Sequence, residues 1–84
     1  MVSSSPAIDN GILFIGSFDY NVYALNATTG TKIWSYTTDY YVESTPAVAD
    51  NMVFVAAIGH RTAYMYALNE TTGTLIWRFR VDEP

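Results

Sequence analysis

The chain has 84 residues, of which half are hydrophobic and 15% aromatic, so its composition is that of one small domain with a core rather than a disordered linker. The formal net charge of -4 leaves no basic stripe for a phosphate backbone, which disfavours nucleic acid as a partner. There is no cysteine, and no apolar run approaches the roughly 20 residues that cross a bilayer. Disulfide frameworks, Cys-ligated zinc sites and membrane spans are therefore excluded.

Four strands are predicted in each half of the chain. A short first strand is predicted around residues 6–8, where Ser-Ser-Pro-Ala-Ile recurs 40 positions later as Ser-Thr-Pro-Ala-Val. Continuous runs of β-forming residues follow at 12–15 and 52–58. Such runs are typical of strands covered on both faces, so we predict that these two are inner strands.

The third strand of each half, at residues 22–25 and 64–68, follows a turn that is longer in the second half. This longer turn changes the spacing between the copies from 40 to 43. A hairpin turn of sequence Asn-x-Thr-Thr-Gly-Thr comes next. We expect its glycines to adopt a positive φ and its asparagines to bond the turn backbone. These residues are Gly30, Gly73, Asn26 and Asn69.

The last strand of the second half alternates between apolar and charged residues. Its apolar positions are Trp77, Phe79 and Val81, and its charged positions are Arg78, Arg80 and Asp82. A strand with one charged face suits the exposed outer edge of a sheet, because charge discourages pairing with other strands. In the first half the same role is predicted for Lys32, Ser35 and Thr37.

The two halves are copies of one unit. The segment ALNATTGTKIW at residues 24–34 returns at residues 67–77 as ALNETTGTLIW, 43 positions later. A period near 40 with four antiparallel strands per unit is typical of β-propeller blades. We therefore predict an all-β fold of two four-stranded antiparallel blades, with repeat 1 at residues 1–43 and repeat 2 at residues 44–84. Together they form one propeller-fragment domain.

The motif Ala-x-Asn-x-x-Thr-Gly-x-x-x-Trp in these two segments resembles the repeat of the pyrroloquinoline quinone (quinoprotein)-like β-propeller family. The segments Phe-Ile-Gly-Ser and Asn-Val-Tyr-Ala-Leu of the first repeat fit as well, whereas the family has Asp where Asn26 and Asn69 stand. The family includes quinone-dependent alcohol dehydrogenases and outer-membrane assembly lipoproteins that bind no quinone. The resemblance implies that the parent protein is extracellular, on the cell surface or periplasmic.

The resemblance also implies a structural role for the tryptophan of the motif, which in the family docks between blades against the Thr-Gly turn of an adjacent repeat. Independently, a tryptophan can bury about 150–250 Å² while its N–H finds a carbonyl partner. We expect replacement of either tryptophan by alanine to cost about 3–5 kcal/mol. The structural docking motif comprises Ala24, Asn26, Thr29, Gly30 and Trp34 in the first repeat and Ala67, Asn69, Thr72, Gly73 and Trp77 in the second.

Two blades alone leave two apolar faces open, each larger than a soluble monomer usually exposes. Joining the C-terminus of one copy to the N-terminus of another preserves the repeat spacing, so we interpret residues 2–84 as a two-blade slice of a longer array. The predicted cover is copies of this chain or further blades of a parent chain. A homotetramer is preferred, since eight-bladed rings are the commonest in the family, and a trimer with six blades is the alternative.

Catalysis is not predicted, and no catalytic, cofactor-binding or metal-ligating residue is assigned. Dehydrogenases of the family use a carboxylate base, a calcium ion with Glu, Asn and Asp ligands, and often a vicinal cysteine pair. Here cysteine is absent and the carboxylates are scattered at turns. His60 is interpreted as a surface residue, because one imidazole makes a poor metal site. The carboxylates are Asp9, Asp19, Asp39, Glu43, Asp50, Glu70, Asp82 and Glu83.

The predicted function is a non-catalytic structural or protein-interaction module that self-associates through its blade faces and binds no cofactor. One alternative is a fragment of a quinone-dependent dehydrogenase propeller, whose parent protein would hold pyrroloquinoline quinone with calcium. Another is a surface-binding or carbohydrate-binding module, since tyrosine rings near turns can serve as anchors for a partner. The tyrosines concerned are Tyr20, Tyr40, Tyr41 and Tyr64.

Overall fold

The computed structural model describes residues 5–42, 45–59 and 61–82. Within these ranges the chain forms nine strands, and no helix there is long and apolar enough to cross a membrane. The strands make a four-stranded sheet, the first blade, and a five-stranded sheet, the second blade. The predictions that concern Glu43, Ser44, His60 and Glu83 lie outside the described residues.

The two blades are antiparallel throughout, which confirms the predicted all-β fold. The first blade is ordered β1-β2-β3-β4, with strands β1 (Ala7–Asp9), β2 (Ile12–Gly16), β3 (Asn21–Asn26) and β4 (Lys32–Thr37). The second is ordered β5-β7-β8-β9, with β6 also paired to β7. Its strands are β5 (Tyr41–Val42), β6 (Ala47–Ala49), β7 (Met52–Ile58), β8 (Thr62–Asn69) and β9 (Leu75–Asp82).

Strand β5 is not predicted by the sequence pattern. Its two residues pair with Ile58 and Ala57 of β7, although the repeat boundary after residue 43 assigns them to the first repeat. Strands β5 and β6 both pair with β7, one with each end of that strand, so together they form the edge of the sheet opposite β9. The interruption contains Pro46, which has no N–H to donate to a ladder. The chain therefore enters the second blade before it reaches the predicted boundary.

The core lies between the blades rather than within either sheet. Side chains alternate between the two faces of a strand, so every second residue of β7 faces the first blade. The members of the hydrophobic core cluster, all at most 7% exposed, are Phe14, Val22, Ala24 and Trp34 from the first blade and Val42, Val53, Val55, Ala57, Tyr66 and Leu68 from the second. Each blade thus relies on the other to cover one apolar face.

The outward face of the second blade is apolar and open. Trp77, Phe79 and Val81 are 43%, 61% and 47% exposed. The guanidinium of Arg78, by contrast, reaches back over the Tyr64 ring on the side of the first blade. As the sequence predicts, the charged positions of this strand face solvent, since the Arg78 side chain is 46% exposed and Arg80 is exposed as well. The apolar positions are exposed too, so β9 is open on both of its faces.

Candidate functional site at the seam between the blades

Both copies of the docking motif contain the same hairpin turn. The side-chain oxygen of Asn26 accepts hydrogen bonds from the backbone N–H groups of Thr28 and Thr29 at 2.8 and 3.0 Å. The backbone carbonyl of Asn26 accepts the N–H of Gly30 at 2.8 Å, and Gly30 has a φ of 79°. The predicted roles of asparagine and glycine are confirmed. In the second turn the corresponding distances are 2.9, 3.0 and 2.8 Å, between Asn69 and Thr71, Thr72 and Gly73.

Trp34 of β4 crosses the seam and lies on the turn of the second blade. Its side chain is 7% exposed, and its indole N–H donates to the backbone carbonyl of Glu70 at 2.9 Å. The indole fills the space above Gly73, where a Cβ atom would lie 2.5 Å from the Cδ2 atom of the ring. Phe14 supports the indole from its own sheet, with 5.9 Å between ring centroids. The tryptophan of one repeat is therefore seated on the Thr-Gly turn of the next.

Trp77 holds the equivalent position in the second repeat, but it is 43% exposed whereas Trp34 is buried. It rests on Phe54 with 6.1 Å between ring centroids and an interplanar angle of 40°. On the first blade the turn around Gly30 is open, because a Cβ atom placed there would meet no atom within 4 Å. In the part of the chain that the structure describes, Trp77 is therefore exposed, and the turn around Gly30 has no indole above it.

A second set of contacts joins the linker between the blades, residues 38–40, to the second blade. The hydroxyl of Tyr66 donates to the carboxylate of Asp39 at 2.6 Å and accepts the Asp39 N–H at 3.1 Å. The guanidinium of Arg78 donates to the same carboxylate at 2.8 Å and lies 4.7 Å from the centre of the Tyr64 ring. Burial, followed by the hydrogen bond to Asp39, raises the pKa of Tyr66 to about 12.

Replacing Tyr66 by phenylalanine should lower the free energy of unfolding by about 1.5–3 kcal/mol, the usual contribution of a hydrogen bond to a charged group. Because the pKa of Tyr66 is raised, its contribution to the free energy of unfolding is complete below the ordinary tyrosine value of 10.0. This contribution is lost as the pH rises toward about 12. Urea unfolding at about pH 8 and about pH 11 measures both effects. Tyr36→Phe, on the ring that packs edge-on against Tyr66 at 5.8 Å, is the control. Between these two pH values, the free energy of unfolding of wild type should therefore fall more than that of Tyr66→Phe.

Glu70 places a carboxyl inside the seam. Its side chain is 2% exposed, and the amide of Asn10 in the β1–β2 hairpin donates to it at 3.4 Å. Burial raises the pKa of Glu70, and the hydrogen bond and negative charge of Asp9 raise it further. The backbone carbonyl of the same residue accepts the indole N–H of Trp34. Glu70 therefore contacts the first blade through both its backbone and its side chain.

Replacing Glu70 by glutamine should favour the folded protein more at neutral pH than in acid. Because the pKa of Glu70 is raised, the contribution of this carboxyl to the free energy of unfolding is complete below the ordinary glutamate pKa of 4.5. It is lost as the pH rises through the pKa of the folded state. Glutamine stays neutral, so the free energy of unfolding of the variant minus that of wild type should increase from about pH 4 to about pH 7 in urea titrations. A difference that does not change with pH would contradict the burial of this carboxyl.

Asp19 offers a control of the opposite sign for the Glu70 experiment. The hydrogen bond from the Tyr23 hydroxyl lowers the pKa of Asp19, so its contribution is present above its ordinary value of 3.8 and is lost as the pH falls. Asp19→Asn should therefore lose stability at neutral pH relative to acid, whereas Glu70→Gln should gain it.

The remaining candidate side chains do not converge on one site. Tyr40 and Tyr64 stack in the seam with 6.1 Å between ring centroids. Tyr20 and Tyr41 meet edge to face with 5.3 Å between centroids and are 40% and 48% exposed. In the part of the chain that the structure describes, no three His, Cys, Asp or Glu side chains could hold a metal ion.

Sequence reasoning missed three seam residues, Asp39, Tyr66 and Glu70. The one signal for any of them is the substitution of Glu70 for Ala27 in an otherwise closely similar turn. A carboxyl in the second copy alone marks a position where the two copies have different neighbours.

The amino-acid sequence also matches a known protein family along its whole length. The family model described as outer membrane protein assembly factor BamB matches residues 1–84. The chain belongs to this family. The match confirms the resemblance to the PQQ-like β-propeller repeat that the motif indicates. No curated protein sequence matches this BamB-family chain.

Solved structures of similar fold include both enzymes and BamB. Europium-containing methanol dehydrogenase superimposes with a TM-score of 0.86 at 24% identity, covering 95% of this chain and 15% of the enzyme. Quinohemoprotein alcohol dehydrogenase ADHIIG from Pseudomonas putida HK5 gives 0.84 at 27% identity, covering 89% and 12%. BamB from Moraxella catarrhalis gives 0.81 at 20% identity, covering 94% and 24%. The BamB-family chain thus spans less than a quarter of each of these proteins.

Proposed function

We propose that this chain is a non-catalytic structural module whose blades serve as docking surfaces for other blades. The observation that carries the proposal is the contact of Trp34 with the Glu70–Gly73 turn. The residues of the repeat motif have structural roles here, since Asn69 and Gly73 shape the turn and the indole of Trp34 fills the space above it. The outward face of the second blade exposes Trp77, and the first blade carries an open turn at Gly30, so the outward faces have the same two features as the buried interface.

The bonding of the charged side chains supports a structural role. Asp39 is bound by Tyr66 and Arg78, and Asp19 is bound by Tyr23. A catalytic carboxylate needs to reach a substrate in a concave site. These carboxylates instead use their oxygens to fix the linker and a turn.

We also infer that the parent protein works outside the cytoplasm, as a cell-surface, extracellular or periplasmic protein. The support is the family match, whose description refers to assembly of outer membrane proteins. On this basis the partners of the chain are proteins, either copies of itself or the blades of a parent chain.

The competing function is a fragment of a quinone-dependent dehydrogenase. The similarity to methanol dehydrogenase and to quinohemoprotein alcohol dehydrogenase favours it. In that case the catalytic residues would lie in parts of the parent protein beyond these blades, whereas the assembled blades would still bind pyrroloquinoline quinone with its calcium ion.

Titration with pyrroloquinoline quinone in the presence and absence of calcium separates the two functions. We expect no saturable, calcium-dependent change in quinone absorbance or protein fluorescence. The arm without calcium is the control, because an exposed indole can stack on a quinone without any metal ion. Saturable binding that needs calcium would overturn the structural module and support the dehydrogenase fragment.

A further inference from the structure

We propose that a second copy of this chain covers the outward face of the second blade, and that Trp77 of one copy docks on the Gly30 turn of the next. This inference rests on the proposed function and names the partner and the contact. The seam inside the chain provides the template, because Trp34 and Gly73 already make this contact between repeat 1 and repeat 2.

The indole of Trp77 is already held in the docking orientation. Trp77 lies on Phe54 with 6.1 Å between centroids and 40° between planes. Trp34, which is docked, lies on Phe14 with 5.9 Å and 43°. Little side-chain freedom remains to be lost when Trp77 meets a turn, and such preorganisation favours binding. Its 43% exposure shows that the ring is accessible to a partner.

The turn that would receive Trp77 is built like the occupied one. Gly30 has a φ of 79° and Gly73 a φ of 77°, and only Gly73 has an indole above it. The backbone N–H of Ala27 donates to the Gly11 carbonyl at 2.9 Å, as the N–H of Glu70 donates to the Asn51 carbonyl at 2.9 Å. The Ala27 carbonyl is therefore placed to accept the indole N–H of Trp77, as the Glu70 carbonyl accepts that of Trp34.

The surfaces around this contact also correspond between the two repeats. On the second blade, Phe54, Trp77 and Phe79 stand where Phe14, Trp34 and Tyr36 stand in the buried face of the first blade. On the first blade, the outward positions match the face of the second blade that buries Trp34. These positions are Ile8, Leu13, Ile15, Tyr23 and Leu25, which stand where Val48, Val53, Val55, Tyr66 and Leu68 stand in the second repeat. Both members of the new seam are apolar.

The contact joins different faces of two identical chains, so it is heterologous and repeats from copy to copy. Such a contact closes into a ring when the rotation between copies allows it. Four copies of this two-repeat chain would supply eight blades and three would supply six. The mass of the assembly in solution distinguishes these two rings.

Light scattering coupled to size exclusion, over a range of protein concentrations, tests the contact. We expect wild type to have the mass of four or three chains. Trp77→Ala and Gly30→Ala should each raise the apparent dissociation constant by at least about 30-fold, the factor that corresponds to a hot-spot residue. Far-UV circular dichroism at the same concentrations shows that both variants keep their strands.

Gly11→Ala is the matched control for Gly30→Ala. Gly11 has a φ of 74° with no atom within 4 Å of a Cβ, so the backbone strain of the substitution is the same. Asn51 stands at the equivalent place in the second repeat, where a side chain is compatible with the docked Trp34. Gly11→Ala should therefore assemble like wild type.

Three results would overturn the inference: a wild-type mass of one chain at every concentration, unchanged assembly of both Trp77→Ala and Gly30→Ala, or equal loss of assembly in Gly11→Ala. The quinone titration keeps this failure separate from failure of the proposed function. A single chain that binds no quinone overturns the Trp77 contact alone. An assembly that depends on Trp77 and binds quinone with calcium overturns the non-catalytic function alone.

Discussion

Replacing Trp34 by alanine should lower the free energy of unfolding of the chain by about 3–5 kcal/mol, the usual cost of truncating a buried tryptophan. The ring is 7% exposed, fills the space above Gly73 and donates its N–H to the Glu70 carbonyl. The core lies in the seam that this ring closes. Because a small domain is stable by only about 5–15 kcal/mol, this loss should remove much of the cooperativity between the blades. Urea unfolding followed by circular dichroism, in dilute protein, measures the change.

Trp77→Ala is the control for this substitution. The sequence predicts the same cost for both tryptophans, because their motifs are alike. In the structure Trp77 is 43% exposed and packs on Phe54 of its own sheet, so its removal from dilute, unassembled protein should cost no more than about 1–2 kcal/mol. Equal losses in the two variants under these conditions would contradict the docked position of Trp34.

The strands and turns could be predicted from the sequence because their determinants are local. The continuous apolar run at 52–58 coincides with strand β7, Met52–Ile58. The turn glycines were predictable because only glycine adopts a positive φ without strain, as Gly30 and Gly73 do. Asn26 accepts two backbone hydrogen bonds in the turn, which its side-chain oxygen can do without any help from the rest of the fold.

The contacts across the seam could not be predicted in the same way, because they depend on how the blades stack. Asp39 reads as a linker carboxylate in the sequence, yet it meets Tyr66, which lies 27 positions away. Strand β5 pairs with β7 only after the linker has crossed to the second blade. Glu70 reads as a solvated turn residue, but the hairpin of β1 and β2 in the other blade covers it. Repeat periodicity predicts each sheet and leaves the residues between sheets undetermined.

Replacing Gly73 by alanine should cost clearly more than replacing Gly30, although the two glycines hold the same position in the turn. Their φ values are 77° and 79°, so each alanine carries the strain of about 1–2 kcal/mol that a left-handed conformation imposes on an L-residue. Only at Gly73 would the new Cβ overlap the Trp34 ring, at 2.5 Å from Cδ2 and 2.6 Å from Cε3. Displacing that ring should add the usual overpacking cost of about 1–3 kcal/mol.

A double-mutant cycle with Trp34→Ala decides whether this extra cost comes from the indole. When Trp34 is absent, the space above residue 73 is free, so Gly73→Ala should then cost no more than Gly30→Ala does. If the extra cost of Gly73→Ala stayed the same without the indole, it would have to arise within the turn itself, and the packing of Trp34 on Gly73 would be wrong. Because backbone strain is nearly the same at the two glycines, the difference between them measures the docking contact directly.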